Sequence, residues 1–165
     1  MESKKLTWTL FIIYAVMLVW VILFKMGFSI ENLGYIRNIN LIPFSQPAIV
    51  NDTMDVSEII DNMVIFVPFG IFMGMLNGHR QWPRQLIPIF LTSLLLEIFQ
   101  FILAIGASDI TDLITNSLGG AAGIGIFRVF STIFKDRACK IVNALSLVMA
   151  VGLMLLVGML IIVNI

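Results

Sequence analysis

The chain has 165 residues, 59% of them hydrophobic and 12% charged, with a mean hydropathy of +1.03, far above that of an ordinary soluble domain. Ten basic residues balance ten acidic ones, so net charge gives no argument for a nucleic-acid partner, and a single cysteine, Cys139, excludes an internal disulfide and any CxxC metal or redox motif. An all-α integral membrane protein in one polytopic domain, 1–165, is expected, with N-terminus cytoplasmic and C-terminus extracytoplasmic; the charge distribution along the chain carries that orientation.

The first apolar run, Leu6 to Phe24, is about 19 residues long, longer than a signal-peptide core, and no small-x-small cleavage site follows it. It predicts a retained transmembrane helix over 6–26. The long connection 27–59 follows and contains "NINLIPFSQP", Asn38 to Pro47. Two prolines within five residues argue against a spanning helix, while Ile39, Leu41, Ile42 and Phe44 suit the membrane interface, either as a lid over a polar site or as an ordinary extracytoplasmic loop.

A second helix is predicted over 60–76, in "EIIDNMVIFVPFGIF", with Asp61 and Asn62 at its outer end. Pro68, near its middle, removes one backbone hydrogen bond and kinks it. The turn "NGHRQWPR" places Trp82 at headgroup level and His79 as a solvated loop residue. The third helix, 86–105, contains "FLTSLLLEIFQFILAI", which puts Glu97 about 12 Å below its outer end at 1.5 Å per residue. An acid at that depth costs about 2.5 to 3.5 kcal/mol and faces a bundle interior or a wet cavity. Ser93, Gln100 and Ala104 share its face. Either Glu97 makes an interhelical hydrogen bond, worth about 0.6 kcal/mol on average, or it serves a ligand. A Gln or Ser would hold helices at less cost.

The fourth helix, 111–130, opens with "SDITDLITNSLGGAAG". Asp109, Asp112, Asn116, Gly119 or Gly120, and Gly123 recur at three- and four-residue steps and line one stripe, polar at the top and small below. Asp109 reads equally well as an N-cap and Asp112 as a first-turn acid favoured by the helix dipole. Asn116, about 10 Å inside, is too deep to cap. Gly119, Gly120, Gly123 and Gly125 suit close helix approach rather than a phosphate loop. The fifth helix, 141–163, is the most apolar.

Lys4, Lys5, Arg80, Arg84, Arg128, Lys135, Arg137 and Lys140 fall in the N-terminal tail and the loops after helices two and four, against only Lys25 and Arg37 on the other side. The positive-inside rule then sets the orientation given above. Asn62, Glu97, Gln100, Asp112 and Asn116, from three helices, converge in the outer half of the membrane. There is no Ser/His/Asp grouping, zinc spacing or HExxH; Glu97, Asp109 and Asp112 lack the fixed spacing of a metal site, so neither metal nor cofactor is expected.

"NINLIPF", "IIDNMVIFVPFGIF" and "LEIFQFILAIGASDITDLITNSLGG", in this order and spacing, resemble the VanZ-like family over Leu6 to about Phe127. Asn40, Pro43, Phe44, Asn62, Pro68, Gly70, Glu97, Gln100, Asp109, Asp112, Asn116 and Gly119 match the family's motif positions; where many members carry an arginine before the first aspartate, this chain has Gly106, Ala107 and Ser108. The resemblance implies a bacterial plasma-membrane protein that lowers susceptibility to teicoplanin, an acylated glycopeptide, without remodelling precursor termini. Residues and resemblance together give a candidate ligand pocket of Asn40, Phe44, Asn62, Glu97, Gln100, Asp109, Asp112 and Asn116. Its expected partner is a membrane lipid, a lipid-linked wall precursor or teicoplanin itself. Two other readings stay open: an enzyme on a lipid or lipid-linked envelope precursor with Glu97 or Asp112 as acid or base, and polar residues that only hold the bundle together.

Overall fold

The computed structural model describes residues 2–24, 36–44, 48–50, 53–55, 57–78 and 81–164. Lys25, Glu31, Asp52, His79 and Arg80, with residues 27–35, 45–47, 51, 52 and 56 of the 27–59 connection, lie outside them, and of Arg37 and Asp55 only the backbone is described.

Five long helices form among the described residues: α1 Glu2–Phe24, α2 Ser57–Asn77, α3 Trp82–Leu103, α4 Ile110–Phe134 and α5 Ala138–Asn164. Four apolar stretches are long enough to cross a membrane: Lys4–Leu23, Ser57–Asn77, Trp82–Leu103 and a 46-residue stretch, Ile110–Leu155. As one straight helix the last would reach about 69 Å, more than twice the hydrocarbon thickness. Instead it breaks at Lys135, φ 46°, into a 3-10 turn, Lys135–Arg137, that separates α4 from α5. Helix α5 then runs beside α1 in the same direction. Near their starts Thr7 and Asn143 are joined by hydrogen bonds of 2.9 and 3.1 Å, and further along Met17 and Leu153 line one groove.

The distribution of side chains is that of a bundle in hydrocarbon. Gln85, Ser93, Thr115 and Asn116 are at most 2% exposed, whereas Val16, Val129, Val148 and Leu155 are at least 63% exposed. Lipid accepts the outward apolar groups, and polar groups at membrane depth find partners only inside.

Helices α2 and α4 make the most extensive contact in the molecule. They run parallel, with Gly119 against the Met63 backbone carbonyl and Gly123 against that of Val67, four residues further along each helix, while Gly70 meets the carbonyl of Gly120. Gly125 differs from the expectation: a Cβ there would meet only Trp82 at 3.6 Å, an ordinary contact. Beside this pair, α1 contributes Phe11 and Tyr14 to an aromatic cluster with Phe69 and Phe72, Phe11 and Phe69 packing edge-on at 5.1 Å.

Pro68 cannot donate a backbone hydrogen bond, and the Tyr14 hydroxyl donates to the Ile65 carbonyl in the preceding turn at 2.7 Å. Tyr14→Phe removes that donor with little change in shape. Its expected cost is about 0.6 to 1.7 kcal/mol, the range for interhelical hydrogen bonds in membranes; a lowered unfolding temperature of the purified protein in detergent checks it.

The sequence leads to no expectation of strands, yet short ones occur. β1 Ile36–Asn40 lies parallel to β4 Ile105–Asp109, with Asn40 opposite Asp109, while β2 Ala48–Val50 and β3 Thr53–Asp55 make a small antiparallel pair. The cause of the first lies at the end of α3. Ala104 adopts φ 54°, its N–H bonds back to the carbonyls of Gln100 and Phe101, and the chain leaves the helix extended. Its exposed backbone groups are then paired by β1.

Candidate functional site

The extended β4 segment carries the chain from α3 into α4 and draws the first functional side chains together. Asp109 caps α4, its Oδ1 accepting from the Thr111 N–H at 2.7 Å, as its position in the sequence predicts. Its Oδ2 accepts from Asn40 Nδ2 at 2.9 Å, a consequence of the register that sets Asn40 opposite Asp109. The backbone N–H of Asp109 donates to Glu97 Oε2 at 2.9 Å, and the Ser108 hydroxyl donates to the Glu97 carbonyl at 2.7 Å. Glu97 is therefore held by the strand that follows its own helix. Glu58, Asp109 and Asp112 are near enough to interact with it electrostatically.

Asn40, Glu97, Ser108 and Asp109 share a cavity of about 390 Å³ with apolar side chains that include Leu94, Ile98, Phe101 and Leu113. A larger groove between α3 and α4, about 890 Å³ and lined by aliphatic and aromatic side chains, shares Ile110 and Leu113 with it. From Ile110 to Ala121 that groove follows α4 for about 17 Å, close to the depth of one leaflet. Asn40, Glu97, Ser108 and Asp109 stand at one end of this lining, and nearly all of the surface that the cavity and the groove expose is apolar.

The other candidate residues lie around this cavity without lining it. Asn62 Nδ2 donates to Asp112 Oδ1 at 2.7 Å, tying the tops of α2 and α4 together. Asn116 turns to α3, where its Nδ2 donates to the Ser93 hydroxyl at 2.9 Å. Gln100 reaches α1, donating to the Ile22 carbonyl at 3.2 Å. The expectation that Asp112 and Asn116 face Glu97 and Gln100 across one pocket is therefore corrected: nearer partners on α1, α2 and α3 take up three of the four. Two buried oxygens, Gln100 Oε1 and Asn116 Oδ1, accept no hydrogen bond.

Phe44 reaches the site through its backbone. At φ 57°, a conformation rare for an aromatic residue, its N–H donates to Thr111 Oγ1 at 3.0 Å, while its side chain stays half exposed. Thr111 and Ser108 hold the backbone of Phe44 and the end of α3 by hydrogen bonds that the sequence does not foretell, because a hydroxyl beside a helix start has no signature of its own. Among the described residues no three His, Cys, Asp or Glu side chains gather closely enough to hold a metal ion.

Residues 11–131 match a family model described as VanZ/LLP1. Protein VanZ of Enterococcus faecium is 35% identical over 152 residues, which cover 88% of this chain and 91% of that protein. No solved structure matches. The matched span takes in β1, β4, all of α2 and α3 and most of α4, hence every residue of the cavity; the chain belongs to the VanZ family.

Proposed function

We propose that this protein resides in the bacterial plasma membrane and lowers susceptibility to teicoplanin by engaging an amphiphile in the outer leaflet, either the lipid-anchored glycopeptide or a lipid-linked wall precursor. The VanZ family's association with teicoplanin resistance supports the outcome. The observation that supports the route is the cavity in which Asn40, Glu97 and Asp109 meet an apolar groove of about one leaflet's depth. The carboxylates accept hydrogen bonds from the hydroxyl or amine groups of a polar head, and the groove takes a chain. The basic residues of the opposite end support an outer-side position for this cavity.

A susceptible host expressing wild type, Asn40→Ala or the double variant Leu94→Trp/Leu113→Trp tests the reading, with membrane abundance measured beside the inhibitory concentration. Filling the groove with tryptophan abolishes protection against teicoplanin while the protein persists in the membrane. Asn40→Ala, which frees Asp109 Oδ2, weakens protection. Full protection from both variants at normal abundance overturns the reading.

A carboxyl lining a cavity shared with lipid also favours a second one, acid–base chemistry on a lipid or lipid-linked precursor at Glu97. Mass spectrometry of envelope lipids and precursors with and without the protein separates the two, since only the enzyme changes a species.

A further inference from the structure

The cavity of Asn40, Glu97, Ser108 and Asp109 is walled by α3, by the turn from β4 into α4, and by β1 with its continuation, which contributes Ile39, Asn40 and Leu41. The groove that continues from it is walled by two helices. Its lining runs from Pro83 to Leu91 on α3 and from Ile110 to Ala121 on α4, and among the described residues none of 36–44 takes part. Ile87, Phe90, Leu91 and Leu118 stay exposed along it, although they lie within the apolar spans Trp82–Leu103 and Ile110–Leu155. At membrane depth such side chains face hydrocarbon. The 36–44 segment stands instead at the start of α4, where the span ends.

That segment is fastened as a strap. Ile36–Asn40 pairs with Ile105–Asp109 along five consecutive residues, Asn40 Nδ2 donates to Asp109 Oδ2 at 2.9 Å, and Asn40 Oδ1 accepts from the Ile42 N–H at 3.2 Å. Further on, the Phe44 N–H donates to the hydroxyl of buried Thr111 at 3.0 Å. Phe44 holds φ 57° there, and an aromatic residue keeps such a conformation only where its surroundings fix it. Lifting the strap would leave the β4 backbone without its partners and carry Ile39 and Leu41 off the apolar wall. The two ways into the site are therefore unequal. One is bolted to α4 at several points, and the other is a groove whose apolar side chains are exposed.

We propose that the ligand enters sideways from the outer leaflet, between α3 and α4, while the 36–44 strap stays shut on α4. The inference rests on the reading of this cavity as an amphiphile site and adds the route. An amphiphile already seated in the bilayer travels this way without its chain leaving apolar surroundings. The strap bars the other route, from water down onto Glu97.

Two double variants in the susceptible host test the route, with teicoplanin as the probe and membrane abundance measured beside the inhibitory concentration. Asn38→Cys/Ala107→Cys sets cysteines opposite each other in the β1–β4 register, where strands about 4.8 Å apart lie within the Cα separation that a disulfide spans. The bond locks the strap, mass spectrometry of alkylated peptides verifies it, and Asn38→Ser/Ala107→Ser is the unlocked control. Leu91→Trp/Leu118→Trp obstructs the groove without changing a residue of the cavity. The locked strap keeps wild-type protection, and the obstructed groove loses it. Loss of protection in the locked protein but not in its serine control overturns the proposal, since the strap must then lift. Wild-type protection by Leu91→Trp/Leu118→Trp at normal abundance overturns it as well. If one pair lowers abundance, the other decides. Either failure leaves the cavity reading standing while Leu94→Trp/Leu113→Trp abolishes protection; full protection by that variant takes down site and route together.

Discussion

Gly123→Val removes the protein from the membrane, and Gly125→Ala, two residues away on the same helix, leaves it at wild-type abundance. The difference lies in what each new side chain meets. A Cβ at 123 enters the backbone carbonyl of Val67 and also touches the Gly70 Cα and Ile71 nitrogen at 3.0 Å. These are backbone atoms in a helix, which cannot swing away as a side-chain tip can, so α2 and α4 must separate. Overpacking a side chain costs about 1 to 3 kcal/mol where neighbours can adjust; here they cannot, and the cost is a large part of a total stability of about 5 to 15 kcal/mol. At 125 the nearest atom is the edge of Trp82 at 3.6 Å, and alanine gains about 1 kcal/mol of helix propensity over glycine. Immunoblots of membrane fractions and unfolding temperatures in detergent check both. Wild-type abundance of Gly123→Val would mean that the α2–α4 seam is not what holds the bundle.

How much of this was legible in the sequence depends on the range of the interaction. The five helices could be located because an apolar run of spanning length is a property of consecutive residues, and Asp109 as a cap is equally local. The glycine seam was half legible: Gly119 and Gly123 declare a small stripe on α4, but their counterpart on α2, Gly70 and Gly74 at a four-residue step, stands out only once the two helices are known to be neighbours. The strands were not legible. β1 and β4 lie 69 residues apart and pair because α3 ends in an αL turn at Ala104, a residue with no special preference for that conformation. The same distance effect misdirects the polar pairs. Spacing along α3 and α4 puts Glu97, Gln100, Asp112 and Asn116 in the same half of the membrane, yet that does not decide partners. Asn62, Ser93 and the Ile22 carbonyl are nearer to Asp112, Asn116 and Gln100, and they take them. Of the two acids, the one that lines the cavity is Glu97, whose carboxylate accepts from the Asp109 backbone N–H.

That difference between the two acids makes Glu97→Gln the most informative change at the site. An amide at 97 still offers an oxygen to the Asp109 N–H, so the turn from α3 into β4 keeps its hydrogen bond and the protein reaches the membrane in normal amount. Its other terminal atom becomes an NH₂ donor where the carboxylate had an acceptor, and the negative charge facing the cavity is gone. Hydrogen bonds to charged groups are worth about 1.5 to 3 kcal/mol, so a ligand that donates to Glu97 is held about 10- to 100-fold more weakly, and the host becomes as susceptible to teicoplanin as one carrying no copy. Glu97→Ala also leaves the Asp109 N–H without its acceptor, so abundance falls as well as protection. Asp112→Asn goes the other way: its oxygen still accepts from Asn62, the α2–α4 tie survives, and protection stays near wild type because the side chain does not line the cavity. The reading of the cavity fails if Glu97→Gln protects as wild type does at equal abundance. It also fails if Asp112→Asn and Glu97→Gln lose protection alike, since that result would trace the effect to the acidic rim as a whole.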